Sequence, residues 1–153
     1  MRLILFAKLL LVFAPFFFLS CKDTKGTSEV FITDEGAING YDAVAYFTES
    51  MPVKGDRKFK YRWREADWYF ATENNLRTFQ GDPERYAPQY GGYCAYGTAE
   101  GHKAPTDPVA WTIVNGRLFL NYNTEVMGLW TKDQQKLIEK ADENWDDVKK
   151  QRM

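Results

Sequence analysis

Few residues in this chain carry chemistry. Cys94 and His102 stand eight positions apart, in the run Tyr93-Cys94-Ala95-Tyr96-Gly97-Thr98-Ala99-Glu100-Gly101-His102. A thiolate and an imidazole are favoured ligands for zinc and copper. On one continuous helix the two residues would lie about 12 Å apart, too far to share an ion at about 2.0–2.3 Å per ligand. Gly97 and Gly101 could break such a helix and fold His102 back. Asp107, Glu100 or a tyrosine oxygen would then complete the shell. Structural zinc asks for four strong ligands, so a weak or transient transition-metal site, copper or zinc, is the metal chemistry within reach. The ligand candidates are Cys94, His102, Tyr90, Tyr93 and Asp107.

The same residues have plainer readings. Free cysteine is among the most buried residue types, so Tyr93-Cys94-Ala95-Tyr96 also reads as core. Gly101-His102-Lys103 has the polarity of a solvated loop. As a nucleophile, Cys94 would need a base; a helix start would lower its pKa, and His102 could serve if the loop returns. Tyr86, Tyr90, Tyr93 and Tyr96 surround Gly91-Gly92. They either stack a small ligand or bury their rings and leave the hydroxyls wet. No Walker loop, dinucleotide fingerprint, His-Glu-x-x-His or Gly-x-Ser-x-Gly motif occurs.

The elements that must position these groups follow from the punctuation. Asn39-Gly40 is a turn signal ahead of Ala43–Phe47, which reads as a short apolar strand. Lys58–Trp63 alternates basic and aromatic residues and pairs with Asp67–Ala71, which leaves Lys58, Lys60, Arg62 and Arg64 as solvated positions. Thr72 caps a helix over Glu73–Gln80, and Asp82-Pro83 starts another. Pro88–Gly92 is a loop and Tyr93–Ala99 a short helix. Asn115-Gly116 between apolar runs is the strongest hairpin signal. Apolar spacing from Val126 to Trp145 is helical. These elements predict an α+β domain of antiparallel hairpins packed with short helices.

The ends give an address. Residues 1–20 read as a signal peptide: Arg2, then an apolar run whose uncharged part, Leu9–Leu19, is too short to span a bilayer. Phe18-Leu19-Ser20-Cys21 resembles the lipobox of bacterial lipoproteins. That resemblance implies acylation of Cys21 (diacylglycerol and a fatty acid such as palmitate) and membrane anchoring through the lipid. Lys22 after the cysteine favours the outer membrane, facing the periplasm. Residues 21–29 are then the lipidated cysteine and tether, 30–148 the domain, and 149–153 a tail. Cleavage removes Arg2 and Lys8, leaving 18 basic against 21 acidic residues, a net charge of −3. That balance argues against a nucleic-acid partner. With Cys21 acylated, Cys94 is the remaining thiol, so a redox role would need a second molecule.

Several landmarks occur in order: Asn39–Phe47, Trp68–Ala71, Asn75-Leu76 with Phe79, Pro83–Tyr86, Pro88–Ala95, Asp107-Pro108, Leu118–Tyr122, Ala141-Asp142 and Asn144-Trp145. Together they resemble the exported branch of the YHS-domain family. The resemblance implies a small α+β fold related to treble-clef modules, for which metal binding is often inferred. This chain departs from that pattern, with one mature cysteine and a His outside any Tyr-His-Ser run. The expected function is a non-enzymatic, membrane-anchored binding module for a transition-metal ion or small ligand through the Cys94 region. The alternatives are an envelope protein-interaction module with Cys94 as core, and a thiol-based redox protein.

Overall fold

The period-two alternation of Lys58–Trp63 predicts a half-buried strand, and the computed structural model, which describes residues 27–153, contains one there. The expected signal peptide (residues 1–20), Cys21 and the first residues of the expected tether lie outside the described residues. Strands β1 (Ile32–Thr33) and β2 (Gly36–Ala37) form a minimal hairpin, followed by α1 (Ala45–Thr48). β3 (Asp56–Trp63) and β4 (Ala66–Phe70) form the largest hairpin, with Trp63 opposite Ala66. Next come α2 (Glu73–Gly81), α3 (Pro83–Tyr86) and α4 (Ala95–Ala99). The hairpin β5 (Trp111–Val114) and β6 (Arg117–Leu120) turns at Asn115-Gly116, and α5 (Thr124–Lys132) and α6 (Gln134–Val148) follow. Among the described residues the three hairpins stay separate two-stranded antiparallel sheets, so the fold is α+β. The expected caps are present: Thr72 accepts from the Asn75 N–H and Asp82 from the Arg85 N–H.

Ala43–Phe47 is not a strand. The segment turns into helix α1 because the Asp42 carboxylate accepts from the N–H groups of Val44 (2.9 Å) and Ala45 (3.3 Å). An apolar run of this length suits a buried helix as well as a strand, and the side-chain cap decides between them. The second oxygen of Asp42 accepts from the Ala71 N–H (2.8 Å) and the Asn75 amide (2.7 Å). Asp42 is fully buried, so one carboxylate ties α1, the end of β4 and α2 together.

Strand β6 joins two cores. Its alternation sends Leu118 and Leu120 into a cluster with Val30, Ile38, Tyr46, Trp68, Phe70 and Phe79. Phe119 points the other way, among Tyr90, Ala95, Trp130, Ile138 and Ala141. Two left-handed segments lock these layers: Ile38-Asn39-Gly40 and Tyr90-Gly91-Gly92, all at φ between 45° and 84°. A Cβ on Gly91 would overlap the Glu29 carbonyl oxygen, and one on Gly92 the Ile38 side chain. Both glycines are therefore required by space as well as by φ.

The tether and the tail both enter the fold. Lys103 is buried, and its ammonium donates to the carbonyls of Ser28 (2.8 Å), Lys149 (2.9 Å) and Gln151 (2.9 Å). Burial lowers its pKa, partly offset by Glu29. Lys103 thus clasps the two ends of the domain.

Replacing Asp42 with Ala leaves buried N–H donors on three segments without an acceptor. Asp42→Ala is expected to cost about 3–5 kcal/mol in urea unfolding; a loss below about 1 kcal/mol would show that the carboxylate does not hold these elements.

Candidate functional site

Cys94 is the N-cap of α4: its Sγ accepts from the Gly97 N–H at 3.4 Å and faces Asn121 Oδ1 at 3.8 Å. The residue is 2 % exposed. Burial pushes its thiol pKa up, against the opposing pull of the Gly97, Tyr122 and Tyr96 N–H groups. A thiolate nucleophile needs the reverse balance. His102 does fold back: its N–H donates to the Gly97 carbonyl, and its ring lies over the Gly97 Cα. The His102 side chain remains exposed, while the Cys94 thiol is buried.

The other candidates turn away from Cys94. Tyr93 donates its hydroxyl to the Ser28 carbonyl at 2.9 Å, and Tyr90 to Asp142 Oδ1 at 2.8 Å. Their hydroxyls are internal rather than wet, and burial raises the pKa of both. Asp107 accepts from the Val109 N–H and shapes the turn into β5. Tyr86 packs edge-on against Phe47, and Tyr96 flanks the second core. The tyrosines therefore do not line one pocket.

This donor set does not fit a transition-metal ion. Among the described residues no three of His, Cys, Asp and Glu gather within reach of one ion. The buried polar atom left without a partner nearest Cys94, Asn121 Nδ2, is an N–H donor and cannot ligate a cation.

A different set of residues does converge. Between the β3–β4 turn, α3, residues 88–91 and α6 lies a crevice of about 150 Å³. Trp63, Trp68, Tyr90 and Trp145 supply aromatic walls; Arg64, Glu84, Gln89 and Asp142 supply charge and amide. Arg64 lies over the Trp63 ring, 4.6 Å from its centroid, and reaches Glu84 at 2.8 Å. Asp142 is held by two bonds from Arg117 (2.7 and 3.1 Å) besides the Tyr90 hydroxyl. Burial would raise its pKa, but the bonds from Arg117 and Tyr90 outweigh it and keep the carboxyl below its ordinary range. Gln89 accepts from Arg117 Nε and completes this wall.

The sequence reading treats Arg64 as a solvated position of the strand. Only the fold brings Asp142 and Trp145 against Tyr90 and Trp63. The available signal was that Trp68, Glu84, Gln89, Tyr90, Asp142 and Trp145 all fall within the family landmarks.

Two outcomes check this geometry. Iodoacetamide is expected to label Cys94 on the order of a hundredfold slower in the native than in the unfolded chain, because labelling requires local opening; equal rates would place the thiol at the surface. Asp142 has a folded pKa below the unfolded value of about 3.9, so the unfolded chain takes up the proton first. The stabilisation is complete above about pH 4–5 and is lost as pH falls through the folded value. Asp142→Asn is expected to flatten the acid limb of urea-unfolding stability against pH; an unchanged limb would show the Arg117 and Tyr90 bonds to be without effect.

The YHS domain family model matches residues 44–90. No curated protein and no solved structure matches the chain. The matched segment runs from the start of α1 to Tyr90, so it contains most of the crevice wall, while Cys94, His102 and Asp107 fall outside it. Over residues 44–90 the chain is similar to the YHS domain.

Proposed function

We propose that this chain is a non-enzymatic binding module of the cell envelope, anchored by lipid on Cys21 in the outer membrane and facing the periplasm. Its working site is the aromatic and charged crevice, with Cys94 as a capping core residue. The observation that supports this most is the convergence of Trp63, Arg64, Glu84, Tyr90, Asp142 and Trp145 from distant segments on one opening.

The chemistry favours binding over turnover. Asp142 is already engaged by Arg117 and Tyr90, which suits a fixed wall better than a general base. The thiol is buried and its pKa raised. Flat indoles with a few polar groups at the edge are the usual means of orienting a small ligand. The crevice is smaller than the 300–1,000 Å³ typical of drug-sized ligands, so it suits a small polar molecule or the end group of a longer one. The net charge of −3 left after removal of residues 1–20 still disfavours nucleic acid.

Two experiments on the expressed protein test the two halves. Cys21→Ser is expected to move the chain from the membrane to the soluble fraction; retention in the membrane would remove the lipid anchor from the proposal. Small polar ligands that raise the melting temperature are expected to shift the indole resonances of Trp63 and Trp145, and to bind Cys94→Ser equally well. Ligands lost with Cys94→Ser would return the function to the thiol.

A further inference from the structure

Among the described residues, two two-residue hairpin loops share the same left-handed geometry. In β5–β6 the loop is Asn115-Gly116, at φ 50° and 74°. In β3–β4 it is Arg64-Glu65, at φ 46° and 60°. Both central residues of such a turn need positive φ, which Asn-Gly supplies easily and residues such as Arg and Glu resist. Non-glycine residues held there cost stability, and such strain gathers where a side chain is needed for function.

What the strained turn achieves is the placement of Arg64. Its guanidinium lies over the Trp63 indole at the mouth of the crevice. Stacking fixes the plane of the group while its N–H edges stay free to bond, which is how arginine is pre-organised for a carboxylate. The edge that faces the crevice holds Glu84, an exposed carboxylate from α3 at 2.8 and 3.1 Å. An exposed pair of this kind is weak and readily exchanged. Asp142, by contrast, already has its own arginine and is not a free partner for a cation.

We infer that Arg64 is the ligand-recognising residue of the crevice and that its ligand class is a carboxylate end group beside an apolar side chain, as in an amino acid or a peptide C-terminus. The incoming carboxylate takes the place of Glu84 on Arg64, and the apolar body lies against the walls formed by Trp63 and Trp145. The inference rests on the crevice being the working site, and it adds the chemistry of the occupant.

The test uses the expressed mature chain and four probes: N-acetyl-L-leucine, its amide, free L-leucine, and a short peptide ending in leucine. Indole resonances of Trp63 and Trp145 report binding. The acid is expected to bind and the amide to bind about tenfold more weakly or not at all. Arg64→Lys, which keeps the charge and loses the fork, is expected to weaken the acid by about tenfold. Glu84→Gln is expected to strengthen it, because the competing carboxylate is gone. A merely structural Arg64–Glu84 pair would move both variants in the same direction. Replacing the strained pair, Arg64→Asn with Glu65→Gly, is expected to raise the melting temperature by a few degrees while abolishing binding.

Equal binding of acid and amide, or binding indifferent to Arg64→Lys, would overturn the carboxylate assignment and leave the crevice as a site of other chemistry. No perturbation of either indole by any probe would overturn the assignment, and would count against the crevice itself if the wider ligand screen also fails there. Binding of the peptide and not of free leucine would assign the end group to a longer chain; the reverse would assign it to the free amino acid. Either of these outcomes supports the carboxylate class.

Discussion

The fold depends on one buried carboxylate. Asp42 has no cationic partner among its hydrogen bonds, yet its two oxygens accept from four donors on α1, the end of β4 and α2. A carboxylate in that position is tolerated because the donors replace the water it gave up. Each bond is also a positional constraint. The carboxylate fixes where the chain leaves β4 and enters α2, and hence where Phe79 meets Trp63, Trp68 and Phe70. These aromatic contacts set the orientation of Trp63, whose outer face carries Arg64. The crevice wall is thus set by a residue that does not line it.

The opposite wall is fixed by close approach. Gly91 and Gly92 let the turn at 89–92 pack against Glu29 and Ile38, and this presents Tyr90 to α6. Arg117, entering from β6, fixes Asp142 and Gln89 together. Because β6 alternates Leu118 and Leu120 against Phe119, the same strand that carries Arg117 also welds the two cores. A small domain of short hairpins has little sheet to stiffen it. The rigidity of the crevice comes instead from these few cross-links, with Lys103 closing the chain ends behind it.

Much of the local architecture was legible in the sequence. Thr72, Asp82 and Asn115-Gly116 each carry their own chemistry for capping or turning, and each appears where its residue type requires. Ala43–Phe47 was misread because an apolar run does not reveal its period when it is this short; the Asp42 side chain, accepting from the Val44 and Ala45 N–H groups, favours the helix. The candidate site was less legible for a similar reason. Cysteine and histidine draw attention as ligands, but the Cys94 thiol serves as a buried N-cap facing Asn121, and His102 stays exposed. The crevice residues carry no motif of their own: Arg64 looks like a strand-end charge, and Asp142 meets Tyr90 across 52 positions of chain. Such a juxtaposition is a property of the packing and not of any local window.

The exit of the chain adds a last constraint. Thr27, Ser28 and Glu29 share a surface depression with Arg64 and Glu65, so the tether leaves the domain beside the strained turn. Ser28 is held there from two sides, by the Tyr93 hydroxyl and the Lys103 ammonium. The departure point is therefore fixed relative to the crevice mouth. With Cys21 lipidated as proposed, the six residue-to-residue steps from Cys21 to Thr27 span at most about 22 Å. Whatever path the tether takes, the Arg64 end of the domain stays within about that distance of the lipid surface, while the Asn115-Gly116 hairpin is not bound by the same limit. A binding site at the tethered end samples what is displayed close to the membrane more often than what diffuses freely through the compartment, because tethering raises the local concentration of any neighbour anchored to the same surface.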